Sequence, residues 1–164
     1  MSATHIQTRR LELVLQTLEQ VRAMIAALPP AAKANVSPVW LARLDAATVP
    51  DVWTHGFSLV HTESGAKIGD CGFKGPPDAD GVVEIAYGVA PDHQGKGYAT
   101  EAAAALTSYA FSSGRVRVVC AHTLPTPNAS TRVLTKCGFK HLGEVIDPED
   151  GLVWRWEKRA EAAA

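Results

Sequence analysis

Between Arg10 and Leu15 the chain alternates. Leu11, Leu13 and Leu15 share one face and Arg10, Glu12 and Val14 the other, the pattern of a half-buried strand. The period then changes. Leu18, Val21, Ile25 and Leu28 recur at helical spacing behind a capping box, Thr17 with Gln20 three residues on, and Pro29-Pro30 stops that helix. Ser37-Pro38 opens a second short helix carrying Trp40, Leu41 and Leu44, and residues 31–36 between the two are expected to be loop. Strand-like runs follow at 56–61 and 66–73, joined by Glu63-Ser64-Gly65 as a hairpin, and at 82–89 after the turn-rich stretch 75–81. Residues 98–111 give the clearest helix, with Ala99, Ala103, Leu106 and Ala110 on one face and Gly114 where a C-terminal glycine belongs. A strand at 116–122 comes next. Ala129, Val133 and Cys137 mark a last helix closed by Gly138, and strands at 139–146 and 152–158 are joined through Asp147-Pro148-Glu149-Asp150-Gly151.

This order, hairpins first and then β-α-β-α-β-β, predicts an α/β (α+β) domain spanning residues 1–164. Its single mixed, largely antiparallel central sheet has about seven strands and is flanked by helices, and 159–164 form a frayed tail. A doubly wound sheet would alternate strictly and does not fit. Length allows one core of useful size. The formal net charge of −1 offers no basic surface, so nucleic acid is not an expected partner. Cys71, Cys120 and Cys137 are an odd number without metal-ligand spacing, and His93 and His122 have no ligand-spaced partners; reduced thiols and no metal are expected. No apolar run is long enough to span a bilayer and the start carries no apolar leader, which points to a soluble, cytoplasmic protein without membrane partners.

The candidate chemistry concentrates in Val89-Ala90-Pro91-Asp92-His93-Gln94-Gly95-Lys96-Gly97-Tyr98-Ala99-Thr100-Glu101. A strand feeds a two-glycine loop that opens a helix. Unpaired N–H groups and the helix dipole there suit a phosphate or pyrophosphate. The stretch Gln94 through Ala99 resembles motif A of the GNAT superfamily of acyl-CoA-dependent N-acyltransferases. Thr8-Arg9-Arg10-Leu11-Glu12-Leu13 looks like that superfamily's first strand and Val83-Glu84-Ile85-Ala86-Tyr87-Gly88-Val89 its fourth. Asn128-Ala129-Ser130-Thr131-Arg132-Val133-Leu134 through Lys136-Cys137-Gly138-Phe139 looks like its helix-then-Gly-Phe ending. The resemblance covers roughly residues 7–158 and is nearest to the branch with the ribosomal-protein alanine N-acetyltransferases.

That resemblance implies a sheet split between its fourth and fifth strands, acetyl-CoA as cosubstrate, and a primary amine acceptor, either a protein N-terminus or a small amine. Direct transfer in a ternary complex would follow. It implies cofactor contacts from Gln94, Gly95, Lys96, Gly97, Tyr98, Ala99 and Thr100, from the backbone of Val89 and from Asn128, whose other role is a helix N-cap. Ser130 matches a serine assigned to protonate the leaving thiolate; a plain first-turn hydroxyl is the alternative. Glu149 matches the spacing of a proposed base but sits in a hairpin tip. Leu134 stands where many members carry a proton-donating tyrosine.

An attacking ammonium must first lose a proton, and Glu84 is the other candidate base. Its apolar strand would raise a carboxyl pKa by desolvation, unless it is simply the exposed alternate of a one-sided strand. Trp154 and Trp156 are core or a wall of the acceptor pocket. A non-catalytic acyl-CoA-binding module keeps the loop without needing Glu84 or Ser130. A nucleotide-binding oxidoreductase lacks its third glycine and acidic partner. Monomer and homodimer stay open.

Overall fold

A computed structural model of the chain describes residues 5–148 and 150–160. Its centre is an eight-stranded sheet in the order β1-β2-β3-β4-β5-β6-β8-β7, formed by β1 (His5–Gln7), β2 (Leu11–Leu15), β3 (Phe57–His61), β4 (Lys67–Phe73), β5 (Val82–Val89), β6 (Val118–Thr123), β7 (Lys140–Asp147) and β8 (Gly151–Arg159). Every recorded strand pair is antiparallel except β5 with β6. The strand beyond the seven expected is β1, three residues that pair with Glu12 to Val14 at the sheet edge; so short a run carries no readable period.

Helices α1 (Leu18–Ala26), α2 (Pro30–Ala34) and α3 (Pro38–Ala46) join β2 to β3, while α4 (Tyr98–Ser112) and α5 (Ala129–Lys136) follow β5 and β6. The Thr17/Gln20 capping box forms as expected. Residues 31–36 are not simply loop. Pro30 occupies the first turn of α2, where its fixed φ favours a helix and its missing N–H costs nothing, so Pro29-Pro30 ends one helix and begins another. Nor is the end of the chain frayed from 159: Arg159 pairs with Val118, and Ala160 N–H donates to Arg117 O. Residues 161–164 lie outside the described residues.

The core lies between the sheet and α4. Leu11, Leu13, Phe57, Leu59, Ile68 and Leu106 are almost fully buried, each side chain contributing about 1.5–3 kcal/mol by leaving water. The packed face of α4 is Ala102, Ala103, Leu106, Thr107 and Ala110. Small residues there let the helix lie close to the strands. Ala99, expected on that face, belongs instead to the cleft described next.

Candidate active site

β5 and β6 run together only from Val82 to Glu84, paired with Val118 to Cys120. Beyond that register they diverge, which is the split expected between the fourth and fifth strands; the added β1 makes them β5 and β6. Two hydrogen bonds fix the parity of β5: Lys74 N–H to Glu84 O, and Ala90 N–H to Ile68 O. Even-numbered residues therefore point their backbone groups at β4. Those of Tyr87 and Val89 point the other way, into the wedge, past the last residue paired with β6.

A cleft of about 390 Å³ opens on this edge, walled by β5 from Tyr87 to Val89, the loop with Gln94, Gly95 and Gly97, the first turn of α4, and α5. Gly95 and Gly97 adopt φ of +78° and +85°, which L side chains rarely take. A Cβ at Gly95 would meet nothing within 4 Å, so the cradle is open where backbone must approach a ligand. Gly97 is the N-cap of α4 and provides no side-chain cap; the first intrahelical bond runs from Glu101 N–H to Gly97 O. The N–H groups of Tyr98, Ala99 and Thr100 are thus the helix's unpaired donors. Gln94 does not cap the helix: its Nε2 donates to Val89 O at 2.9 Å and ties the loop to the strand end. Lys96, Tyr98 and Asn128 do not wall the cleft with the other predicted residues. Lys96 O accepts from Arg10 Nη1, and the Tyr98 ring lies 4.6 Å below the Arg10 guanidinium. Arg132 and Lys136 of α5 and His93 do line it. One helical turn separates the two cations and puts both on one face of α5, the signal by which the sequence could have pointed to them.

Arg10 belongs to a clamp that fixes the loop. Its backbone N–H and Nε donate to Glu101 at 2.8 and 2.9 Å, and the Thr8 hydroxyl donates to the same carboxylate. Burial alone would raise the Glu101 pKa. The bonds from Thr8 and Arg10 outweigh it and hold the carboxyl below its ordinary value. A depressed carboxyl pKa stabilises the fold above the unfolded value of about 4.3 and loses that contribution as pH falls through the folded value. Glu101→Gln should therefore lower the melting temperature at pH 7. The gap to wild type should narrow as pH falls below about 4; a gap independent of pH would show that the charge is not what matters.

On the other side of Tyr87 a second cavity of about 670 Å³ is walled by Trp40, His55, Asp70, Phe73, Lys74, Glu84, Ala86, Asp147 and Pro148, among others. Glu84 does not sit in the apolar setting its strand suggested. Its Oε2 is 2.9 Å from His122 Nδ1 and 3.3 Å from Lys74 Nζ. Arg155 Nη1 approaches His122 Nε2 at 3.4 Å, so Nε2 accepts and Nδ1–H donates to Glu84. Burial pulls the Lys74 pKa down, but Glu84 and then Asp150 more than reverse this, and the ammonium is held above its ordinary value. Glu149 lies outside the described residues; its neighbours Asp147 and Pro148 wall the same cavity as Glu84.

Asn128 is the N-cap of α5: its Oδ1 accepts from Thr131 N–H at 3.0 Å, and the Thr131 hydroxyl accepts from Asn128 N–H. The helix cap being supplied there, the Ser130 hydroxyl turns elsewhere and donates to Tyr87 Oη at 3.1 Å. Trp156 is core, its Nε1 donating to Thr123, and His141 packs on both Trp156 and Trp154. All three cysteines are unpaired. Burial pushes the Cys120 thiol up to about 11 and raises those of Cys71 and Cys137 as well.

A family model described as an acetyltransferase (GNAT) domain matches residues 8–140. The uncharacterized N-acetyltransferase p20 of Bacillus licheniformis is 33% identical over 93 residues, 57% of this chain and 52% of that protein. The uncharacterized N-acetyltransferase YjdG of Bacillus subtilis is 34% identical over 89 residues, 52% of this chain and 53% of its own length. The chain thus spans about half the length of the curated relatives it matches. Among solved structures, RimL, a ribosomal L7/L12 alpha-N-protein acetyltransferase in complex with coenzyme A, superposes with a TM-score of 0.69 at 16% identity, covering 95% of this chain and 98% of that one. At that identity the likeness is one of fold.

Proposed function

The chain belongs to the GNAT acetyltransferase family, and on that premise we propose that it moves an acetyl group from acetyl-CoA to a primary amine, directly, within a ternary complex. The observation that carries this reading is the junction of the two cavities. A cleft with unpaired helix-terminal donors and an open strand edge meets an acid-lined cavity at one shared residue, Tyr87. The residues fit the cosubstrate: N–H groups of the α4 first turn, across the open Gly95–Gly97 cradle, would hold a pyrophosphate. Arg132 and Lys136 would add charge-assisted contacts to phosphate, and Val89 would offer backbone pairing to an extended arm. Asn128 would serve mainly by fixing the start of α5. Acetyl-CoA supplies an activated thioester.

The acceptor amine, of a protein N-terminus or a small molecule, would occupy the larger cavity. There Glu84, oriented by His122, takes the proton that an ammonium must lose before it can attack. A covalent acetyl-cysteine route is disfavoured by the thiols, because burial suppresses the thiolate that would act as nucleophile. Three unpaired thiols also suit a reducing compartment such as the cytoplasm.

CoA and acetyl-CoA should raise the melting temperature in a concentration-dependent way and NAD should not. With acetyl-CoA and a panel of amines, free thiol should be released. Stabilisation by NAD and not by CoA would overturn the reading of the cleft. Stabilisation by CoA with no thiol release from any amine would leave an acyl-CoA-binding module of the same fold.

A further inference from the structure

Tyr87 walls both cavities, and its hydroxyl reaches Ser130 on α5. Tyr87 is the one residue that the two cavities have in common among their described walls. Acetyl transfer requires the thioester carbonyl and the amine to meet, and they can meet only where the cavities join. We propose that Tyr87 is a catalytic residue whose hydroxyl delivers the proton to the departing CoA sulfur, with Ser130 as the donor that steadies the resulting phenolate. The proposal rests on the acetyl-transfer reading above.

The hydrogen bonds give the two hydroxyls different parts. Ser130 Oγ–H donates to Tyr87 Oη at 3.1 Å, so the serine proton is already directed at the phenol oxygen. Among the described residues the Tyr87 O–H faces Ser130 O alone, at 3.4 Å, beyond the usual range for an O–H···O bond. The loosely held proton is the phenol's. A phenol is a far better proton donor to a thiolate near pKa ~8.5 than an aliphatic alcohol such as Ser130 is. Burial raises the Tyr87 pKa and the Ser130 bond lowers it, with the net shift upward, so the hydroxyl is protonated at neutral pH.

The step balances. As the amine nitrogen bonds to the acetyl carbon, the carbon–sulfur bond breaks and its electron pair stays on sulfur. Tyr87 gives that sulfur its proton and CoA leaves as the thiol. The proton lost by the amine nitrogen passes through water to restore the phenol. Nothing is oxidised and no net proton is consumed.

Tyr87→Phe keeps the ring and removes only the hydroxyl. Its kcat should fall about ten- to a hundredfold, with KM for acetyl-CoA within about threefold and stabilisation by CoA retained, because the interaction grows only as charge develops on sulfur. Ser130→Ala should cost less, and the double variant should be little worse than Tyr87→Phe, since the two hydroxyls act through one proton. A folded Tyr87→Phe protein with kcat within twofold of wild type overturns the assignment, as does a larger loss from Ser130→Ala. Should Tyr87→Phe not fold, 3-fluorotyrosine at position 87 replaces it: kcat that changes with phenol acidity at constant KM supports the role, and unchanged kcat overturns it. Wild-type protein that releases no thiol with any amine overturns the acetyl-transfer reading and the Tyr87 role with it. Wild-type turnover alongside an unimpaired Tyr87→Phe removes Tyr87 alone.

Discussion

Gly97→Asp should abolish stabilisation by CoA while leaving a folded protein. Gly97 is the N-cap of α4 at φ +85°, and a Cβ there would lie 3.2 Å from Arg10 Nη2, the end of a flexible side chain that can give way. An L residue in this left-handed conformation costs about 1–2 kcal/mol, and Asp is among the types that tolerate it. Nearby Arg10 offsets part of the added charge, so the unliganded fold survives. The cleft does not. A carboxylate at the mouth of the helix competes for the N–H groups of Tyr98, Ala99 and Thr100 and repels the phosphates they would hold. At a hundredfold excess of ligand over Kd, wild-type protein gains about 2.7 kcal/mol, which for a domain of this size is roughly 5–10 °C in melting temperature. Gly97→Asp should show no shift at the same concentration. Gly97→Ala separates strain from charge: it pays the same backbone cost without the carboxylate and should keep part of the shift. A full CoA shift in Gly97→Asp would place the anion elsewhere.

How far this site was legible depends on the range of the interaction. Leu11, Leu13 and Leu15 declare their strand by alternation, and Gly95 and Gly97 declare the loop, because each signal is written within a few residues. The capping of α5 by Asn128 was equally local. Two local signals misled. Pro29-Pro30 stops one helix, but the same fixed φ starts α2, and the three residues of β1 are too few to show a period. The misjudged chemistry is non-local. Glu84 looks desolvated along its own strand, yet its partners Lys74 and His122 arrive from the segment just after β4 and from β6. Tyr87 looks like an ordinary inward residue of β5 until the splay of β6 brings Ser130 to its hydroxyl. Leu134 leaves α5 without a tyrosine, and it is the tertiary structure that brings a phenol to the same helix from the sheet.

Glu84→Gln should depress turnover by about a hundredfold or more, the range expected for loss of a positioned general base, while stabilisation by acetyl-CoA persists, since Glu84 lines the larger cavity and not the cleft. Glutamine keeps the shape and can still accept from His122 Nδ1–H, and Lys74 keeps Asp150 at 3.6 Å, so the fold should tolerate the change. The size of the loss should depend on the acceptor. An α-amine, with pKa ~7.7–8.0, is already neutral in a useful fraction of molecules at neutral pH, whereas a lysine-like amine near ~10.4 is almost wholly protonated. Removing the base should therefore hurt the more basic acceptor more, and raising the pH should recover the α-amine reaction first. Glu149→Gln, measured alongside, should change turnover only a few-fold. The opposite ranking would move the base to the β7–β8 hairpin tip, which shares a wall with Glu84 through Asp147 and Pro148. Two mild effects with no dependence on amine basicity would mean that the amine arrives already neutral. Glu84, Lys74 and His122 would then be an ion cluster that braces the mouth of the wedge and takes no proton.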